Sequence, residues 1–326
     1  MSNKQVNFKT KNLLYEFSQI IQNFDKINIK ETEPIINDYI FEGDLSIMID
    51  DLVDLIFMKL NEGKDAIIIK QHVFNYLNNH KIILQEIHSW LSNNQNNSNS
   101  NYLFGYVNYH GIGTNSDRKK AIELYKKAAE LENNVAQLDL IHIYIHGKDN
   151  EINYNLAFKL SKKLAEKEIP SAIYSLGYCY FRGIGTVYDT KKAFELYQKA
   201  ADLGNSNGIN NLGWCYYGGI VIKSDDQKAF ELFQKAADLE NLSGINGLGC
   251  CYEKGVGTDI NKQKAFELYK KAAELGSNSA QYNLAKMYEI GSGVEKDMDQ
   301  AVYWYQKSAE QGYKYAQIKV NQLLKK

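Results

Sequence analysis

Proline is almost missing from this chain, with two among 326 residues, and so few breakers leave long stretches free to be helical. The same shortage excludes a collagen-like or proline-rich extended protein. Cysteine is scarce too, and four residues are too few to staple a chain of this length. Neither sign of charge prevails: 38 basic and 39 acidic side chains leave a net charge of −1. Splitting the chain changes little, since residues 1–100 carry a net −4 and the remainder a net +3. A protein that neutralises several phosphates carries a basic surplus, so no nucleic-acid partner is expected. No apolar run approaches the roughly 18 residues of a membrane span, and residues 1–12 are polar with lysines and no apolar signal core. Membrane insertion is therefore not expected, and a cytosolic or nuclear location follows by default, with the cytoplasm as the expectation.

What the chain has in abundance is tyrosine, 24 residues, and glycine, 23, and a repeat of 36 residues runs over six copies without insertion or deletion, with glycine at one phase in all six. Alanine stands at Ala121, Ala157, Ala193, Ala229, Ala265 and Ala301, and glycine at Gly111, Gly147, Gly183, Gly219, Gly255 and Gly291. Each copy holds two apolar-periodic stretches, which predicts a helical hairpin. The second stretch always follows Asp117, Asn153, Asp189, Asp225, Asn261 or Asp297, side chains that cap a helix N-terminus at about 1 kcal/mol each. It ends at Gly204, Gly276 or Gly312 in three copies, where a left-handed residue closes the helix. The first stretch carries a leucine followed by a small residue, as in Leu176-Gly177, Leu212-Gly213 and Leu248-Gly249. Glycine inside a helix costs about 1 kcal/mol, so its recurrence implies close helix approach, with Tyr180, Tyr216 and Tyr252 expected to wedge the space it leaves. A valine at Gly213 is expected to overpack that contact.

Leu176 to Gly185, read as Leu-Gly-x-x-Tyr-x-x-Gly-x-Gly, and Lys192 to Gly204, read as Lys-Ala-x-x-Leu-Tyr-x-Lys-Ala-Ala-x-x-Gly, resemble the Sel-one-like repeat (SLR), a relative of the tetratricopeptide repeat. The resemblance covers about residues 101–326 and implies an all-α fold, a right-handed α/α superhelix of six 36-residue hairpins closed by a capping helix over Tyr315 to Leu324. The second copy departs from the pattern, with Ile141 for the glycine, Ser161 for the aromatic and Asp149 for the second loop glycine, so its packing and loop are expected to differ.

Residues 1–92 lack the period and read as an N-terminal helical module. One amphipathic face comprises Leu13, Leu14, Phe17, Ile20, Ile21 and Phe24; a stronger one comprises Leu45, Met48, Ile49, Leu52, Ile56 and Leu60; a third region includes Val73, Phe74, Leu77, Ile82, Ile83, Ile87 and Trp90. Residues 93–101 are polar and rich in asparagine and serine, which predicts a linker or loop before the array at 102–326. Such a leader is similar to those of fungal SLR proteins related to kinase–SLR fusions. The chain itself shows no glycine-rich phosphate loop, His-Arg-Asp loop or Asp-Phe-Gly motif.

Chemistry-bearing motifs dissolve into the repeat. Gly111-Ile-Gly113, Gly183-Ile-Gly185, Gly255-Val-Gly257 and Gly291-Ser-Gly293 lack a preceding strand and a Walker lysine, so they read as turns. Cys179, Cys215 and Cys251 share a phase with Val107, Ile143 and Met287, a small apolar core position. Cys250 falls at a variable phase and is a candidate redox-sensitive thiol. His142 and His146 stand one helical turn apart with no third ligand in the sequence, so no metal, cofactor or catalytic role is expected.

A surface remains. On each first helix, positions off the Leu/Gly/Tyr face should line the inner side of the superhelix: Tyr102, Tyr106 and Tyr109; Leu138, His142 and Ile145; Tyr174, Tyr178 and Phe181; Asn210, Trp214 and Tyr217; Asn246, Cys250 and Glu253; Tyr282, Lys286 and Glu289. Aromatics of this kind carry binding energy. The expectation is a non-catalytic adaptor that holds a partner protein or peptide in this groove, in signalling by family context. The alternative is a regulatory module docking on a protein kinase through residues 1–92.

Overall fold

The computed structural model describes residues 42–323, Asp149 apart, and these belong to one compact unit. The amphipathic stretch from Leu13 to Phe24 lies outside the described residues. Sixteen helices and no strand occur among those described. Three leader helices come first: α1 (Glu42–Asn61), α2 (Ala66–Asn79) and α3 (Leu84–Asn93). Six hairpins follow: α4 (Ser98–His110) with α5 (Arg118–Glu130), α6 (Asn134–His146) with α7 (Tyr154–Ala165), and α8 (Pro170–Arg182) with α9 (Thr190–Asp202). Then come α10 (Ser206–Gly218) with α11 (Asp226–Asp238), α12 (Leu242–Lys254) with α13 (Lys262–Glu274), and α14 (Asn278–Ile290) with α15 (Met298–Glu310). The capping helix α16 spans Lys314–Leu323.

All six expected caps form. Asp117, Asn153, Asp189, Asp225, Asn261 and Asp297 each accept a hydrogen bond from the backbone N–H three residues on, over 2.9–3.1 Å. First helices are capped as well, by Asn97, Asn133, Asn205, Asn241 and Ser277. Gly204, Gly276 and Gly312 take positive φ after the second helices, and Glu132, Glu168 and Glu240 hold the same left-handed conformation in the other copies.

The glycine of each first helix has a definite partner. A Cβ on Gly105, Gly177, Gly213 or Gly249 would lie 2.7–3.0 Å from the ring of Tyr125, Tyr197, Phe233 or Tyr269 on the second helix of the same repeat. That ring, rather than the expected Tyr180, Tyr216 or Tyr252, fills the space. Those tyrosines instead meet the preceding repeat edge-on, as Phe158–Tyr180, Phe194–Tyr216, Phe230–Tyr252 and Phe266–Tyr288 at 5.3–6.2 Å. One ladder thus closes each hairpin and another joins hairpins. In the second repeat the sizes are exchanged: Ile141, 1% exposed, takes the glycine position and Ser161, fully buried, the aromatic one. The Ser161 hydroxyl donates to the Ala157 carbonyl at 2.7 Å, so the small residue leaves no orphan group.

Second-loop glycines lie against the N-terminus of the preceding repeat's second helix, Gly185 at Tyr154, Gly257 at Asp226 and Gly293 at Lys262. Gly113 has no preceding repeat and lies against Leu84 instead, so α3 stands where a preceding second helix would be. The polar run ahead of the array is correspondingly not a linker of nine residues. Only residues 94–97 separate α3 from α4; Asn97 caps α4, and Ser100 and Asn101 are buried in its first turn. The Asn101 amide donates to the Gln95 and Asn97 carbonyls at 3.0 and 2.8 Å. Local hydrogen bonding lets a polar sequence enter a packed interface.

Candidate functional site

The inner face of the array is covered at one end by the leader. Ile49, Leu52, Val53 and Ile56 of α1 share a buried cluster with Tyr102, Tyr106 and Val107 of the first repeat and Leu138 and Ile143 of the second, while Asp50, Asp51 and Asp54 stay exposed. The turn between α1 and α2 then runs over the N-termini of later first helices. The Glu62 carbonyl accepts from Ser206 N–H at 3.0 Å, and the Gly63 carbonyl from the Ser206 hydroxyl at 2.9 Å and the Asn207 amide at 3.2 Å. The Asn61 carbonyl accepts from the Asn205 amide at 3.0 Å, and the Ser171 hydroxyl donates to the Leu60 carbonyl. Asp65 accepts from Leu242 N–H at 3.0 Å, and Lys64 donates to the Leu239 carbonyl at 2.8 Å and pairs with Glu240 at 3.1 Å. First-helix N–H groups of this kind are left without helical partners, and the leader supplies acceptors for them.

The expected groove therefore divides. Tyr102 and Tyr106, expected on an open surface, are 0% and 3% exposed, because α1 lies over them; Asn210 is 5% exposed. Tyr109, Tyr174, Tyr178, Phe181, Trp214 and Tyr217 are half-buried, and His142 and Lys286 are exposed. Trp214 meets Phe233 at 4.9 Å and Tyr217 at 5.6 Å, and Lys254 donates to the Tyr217 hydroxyl at 3.2 Å. Farther along, Lys286 lies 3.8 Å from Glu253 and Lys319 2.7 Å from Glu289, so the face turns charged over the last two repeats.

Between the leader and the first repeats lies a cavity of about 320 Å³, lined by Ile56, Leu60, Asp65 and Ile69 on one side and by Tyr106, Tyr109, Asp139, His142, His146 and Tyr174 on the other. Asp139 accepts a 2.9 Å hydrogen bond from the Tyr102 hydroxyl, and Tyr125 also bonds to it. Burial pushes its carboxyl up to about 7 against the lowering effect of those two hydroxyls. Burial holds His110 down to about 4; His142 and His146 keep solvent-exposed rings, and the protein packed around them still lowers both, His142 to about 4. His142 and His146 are both exposed and line this cavity, with rings 5.0 Å apart. Among the described residues no group of three or more His, Cys, Asp or Glu side chains could hold a metal ion. Burial pushes Cys179 and Cys215 up to about 11 and Cys251 to about 12; Cys250 is raised by burial too, which disfavours the thiolate a redox sensor needs. No described helix is long and apolar enough to cross a membrane.

The 36-residue caps, glycines and inter-repeat aromatic ladder match a known pattern: the Sel1 repeat profile fits residues 98–133, 134–168, 170–205, 206–241, 243–277 and 278–313. The chain belongs to the Sel1 repeat family. A solved Sel1 repeat protein from Oxalobacter formigenes is 28% identical with a TM-score of 0.57, over 71% of this chain and 93% of that one. A protective antigen of uropathogenic Escherichia coli strains with an SLR fold is 29% identical with a TM-score of 0.48, over 74% of this chain. The present chain spans only 51% of that antigen's length. An immunity protein from Pseudomonas aeruginosa is 25% identical with a TM-score of 0.44, over 56% of this chain and 67% of the other. No curated protein matches. Sel1 repeat proteins are generally non-catalytic protein-interaction scaffolds.

Proposed function

We propose that this protein is a non-catalytic scaffold that holds a partner protein or peptide on the inner face of repeats 3 to 6. The carrying observation is that Tyr178 and Trp214 remain partly accessible beyond the leader, beside the half-buried Phe181 and Tyr217, whereas Tyr106, the first-repeat counterpart of Tyr178 and Trp214, is sealed and Tyr109 is half-buried. Half-buried aromatics held by neighbouring rings offer large contact area with little side-chain ordering on binding. The charged end, with Glu253, Lys286 and Glu289, would set orientation. In this reading the partner belongs to a signalling assembly in the cytoplasm, an implication carried over from the family resemblance. Docking on a kinase through residues 1–92 has weaker support, because the apolar faces of the described leader helices are turned onto the repeats.

Affinity capture from native lysate with the wild type and a Tyr178→Ala/Trp214→Ala variant of unchanged helicity tests the proposal. Loss of a defined set of captured proteins with the variant is the expected outcome; an unchanged set refutes the inner-face site.

A further inference from the structure

The cavity beneath the leader has a chemistry that scaffolding does not use. Its carboxylate, Asp139, has no lysine or arginine within ion-pair reach among the described residues, although burial disfavours an unpaired charge. The nearby cations are committed elsewhere: Arg118 to Glu151 at 2.7 Å, Lys64 to Glu240 and the Leu239 carbonyl, and Lys70 to the His110 carbonyl at 3.0 Å. A second observation is independent of the first. Tyr106 is 3% exposed and lines the cavity, yet its hydroxyl has no hydrogen-bond partner, an omission that a folded interior rarely tolerates without cause. The walls are aromatic or apolar, with Tyr109 and Tyr174 on the repeat side and Ile56, Leu60 and Ile69 on the leader side.

We propose that this cavity is a binding site for a small organic cation, an amine or guanidinium on a short apolar stem, with Asp139 as counter-ion and the Tyr106 hydroxyl accepting a hydrogen bond from the cation. Tyrosine faces attract such a charge, that of Tyr109 being already covered by the Arg118 guanidinium at 4.5 Å, and about 320 Å³ falls within the range of ordinary ligand sites. An anion is disfavoured because the three histidines are neutral, Asp139 and Asp65 line the space, and Lys64, which also lines it, is held by Glu240 and the Leu239 carbonyl. Since leader and repeats both line the cavity, an occupant fastens one to the other.

The pH dependence follows from the groups facing Asp139. His110 and His142 titrate near 4, His146 lies below its ordinary value, and Arg118 is raised by its bond to Glu151; Asp65, the other carboxylate on the cavity, is raised by burial against its bond from Leu242 N–H, and Asp139, at about 7, is the group placed to change over the neutral range. Its raised value means that it is protonated below about 7, and a cation must displace that proton.

The test is calorimetric titration of the full chain with agmatine and, as a neutral comparator, butylurea. Agmatine is expected to saturate one site, butylurea to show none, and agmatine affinity to fall about tenfold or more between about pH 7.5 and about pH 5.5. Asp139→Asn should abolish binding, and Tyr106→Phe should weaken it about threefold to tenfold, a readout that stands even where the Asp139 variant fails to fold. Absence of saturation at about 10 mM agmatine overturns the proposal, as does equal affinity for Asp139→Asn or an unchanged affinity at the lower pH.

Discussion

Tyr106 and Trp214 stand at the same phase of the repeat, three hairpins apart, and the molecule uses them in opposite ways. Tyr106 is sealed beneath the leader, while Trp214 remains half-buried on the open side, propped by Phe233 and Tyr217. Repeat geometry therefore determines which way a side chain points, and the non-repeating segment determines whether it meets solvent or protein. The first repeats act as a dock for the chain's own leader, and the later ones keep a free face.

Alanine at each of the two positions probes this contrast most strongly. Tyr106→Ala should cost about 4 kcal/mol, as truncation of a buried aromatic does, and should loosen the leader. Trp214→Ala should cost about 1–2 kcal/mol because its ring is only partly buried. Denaturant unfolding followed by exchange at the leader amides would check both, and equal costs would erase the distinction between the two halves. A solenoid weakens locally, so the damage from Tyr106→Ala should stay in the leader and the first repeats.

The second repeat sharpens the comparison on a smaller scale. If Ile141 and Ser161 are a size exchange for the glycine and ring found elsewhere, Ile141→Gly should cost about 3 kcal/mol by leaving a cavity and Ser161→Tyr about 2 kcal/mol by overpacking. The double variant should recover about 1–2 kcal/mol of the combined loss. Additive losses in the three unfolding curves would show that the two positions do not share one space.

Most of the array was legible in the residues. Six Asp or Asn caps at one phase and a glycine series that takes positive φ in every copy but the second, where Gly147 is extended at φ −66°, locate helix starts and turns, because capping and positive φ are local demands that a sequence displays openly. The Ile141 and Ser161 departures were visible too, but their compensation emerges only when the two positions are considered as partners across a hairpin. What was not legible is long-range. Nothing in the spacing of Leu45, Ile49, Leu52 and Ile56 tells which surface their face will cover, and that choice buried Tyr102 and Tyr106. The asparagine run misled for the opposite reason: asparagine suits a disordered link and also a helix cap, and Asn97 is the latter. Asn205 and Asn241 carry the same double meaning, since each caps its own helix with its oxygen, while the Asn205 amide also reaches the leader's Asn61 carbonyl.

The seating of the leader is the claim on which the division of the inner face rests, and two backbone amides report it directly. Ser206 N–H and Leu242 N–H are first-turn amides that an isolated helix leaves to water, yet here they bond to the Glu62 carbonyl and the Asp65 carboxylate, each at 3.0 Å. Asn278 starts the first helix of the sixth repeat at the same phase and serves as the internal reference. Amide hydrogen exchange of the full chain should show Ser206 and Leu242 slowed about tenfold or more relative to Asn278, after correction for intrinsic rates. Equal exchange at the three positions would contradict the account, because the leader would then not be holding the inner face of the array.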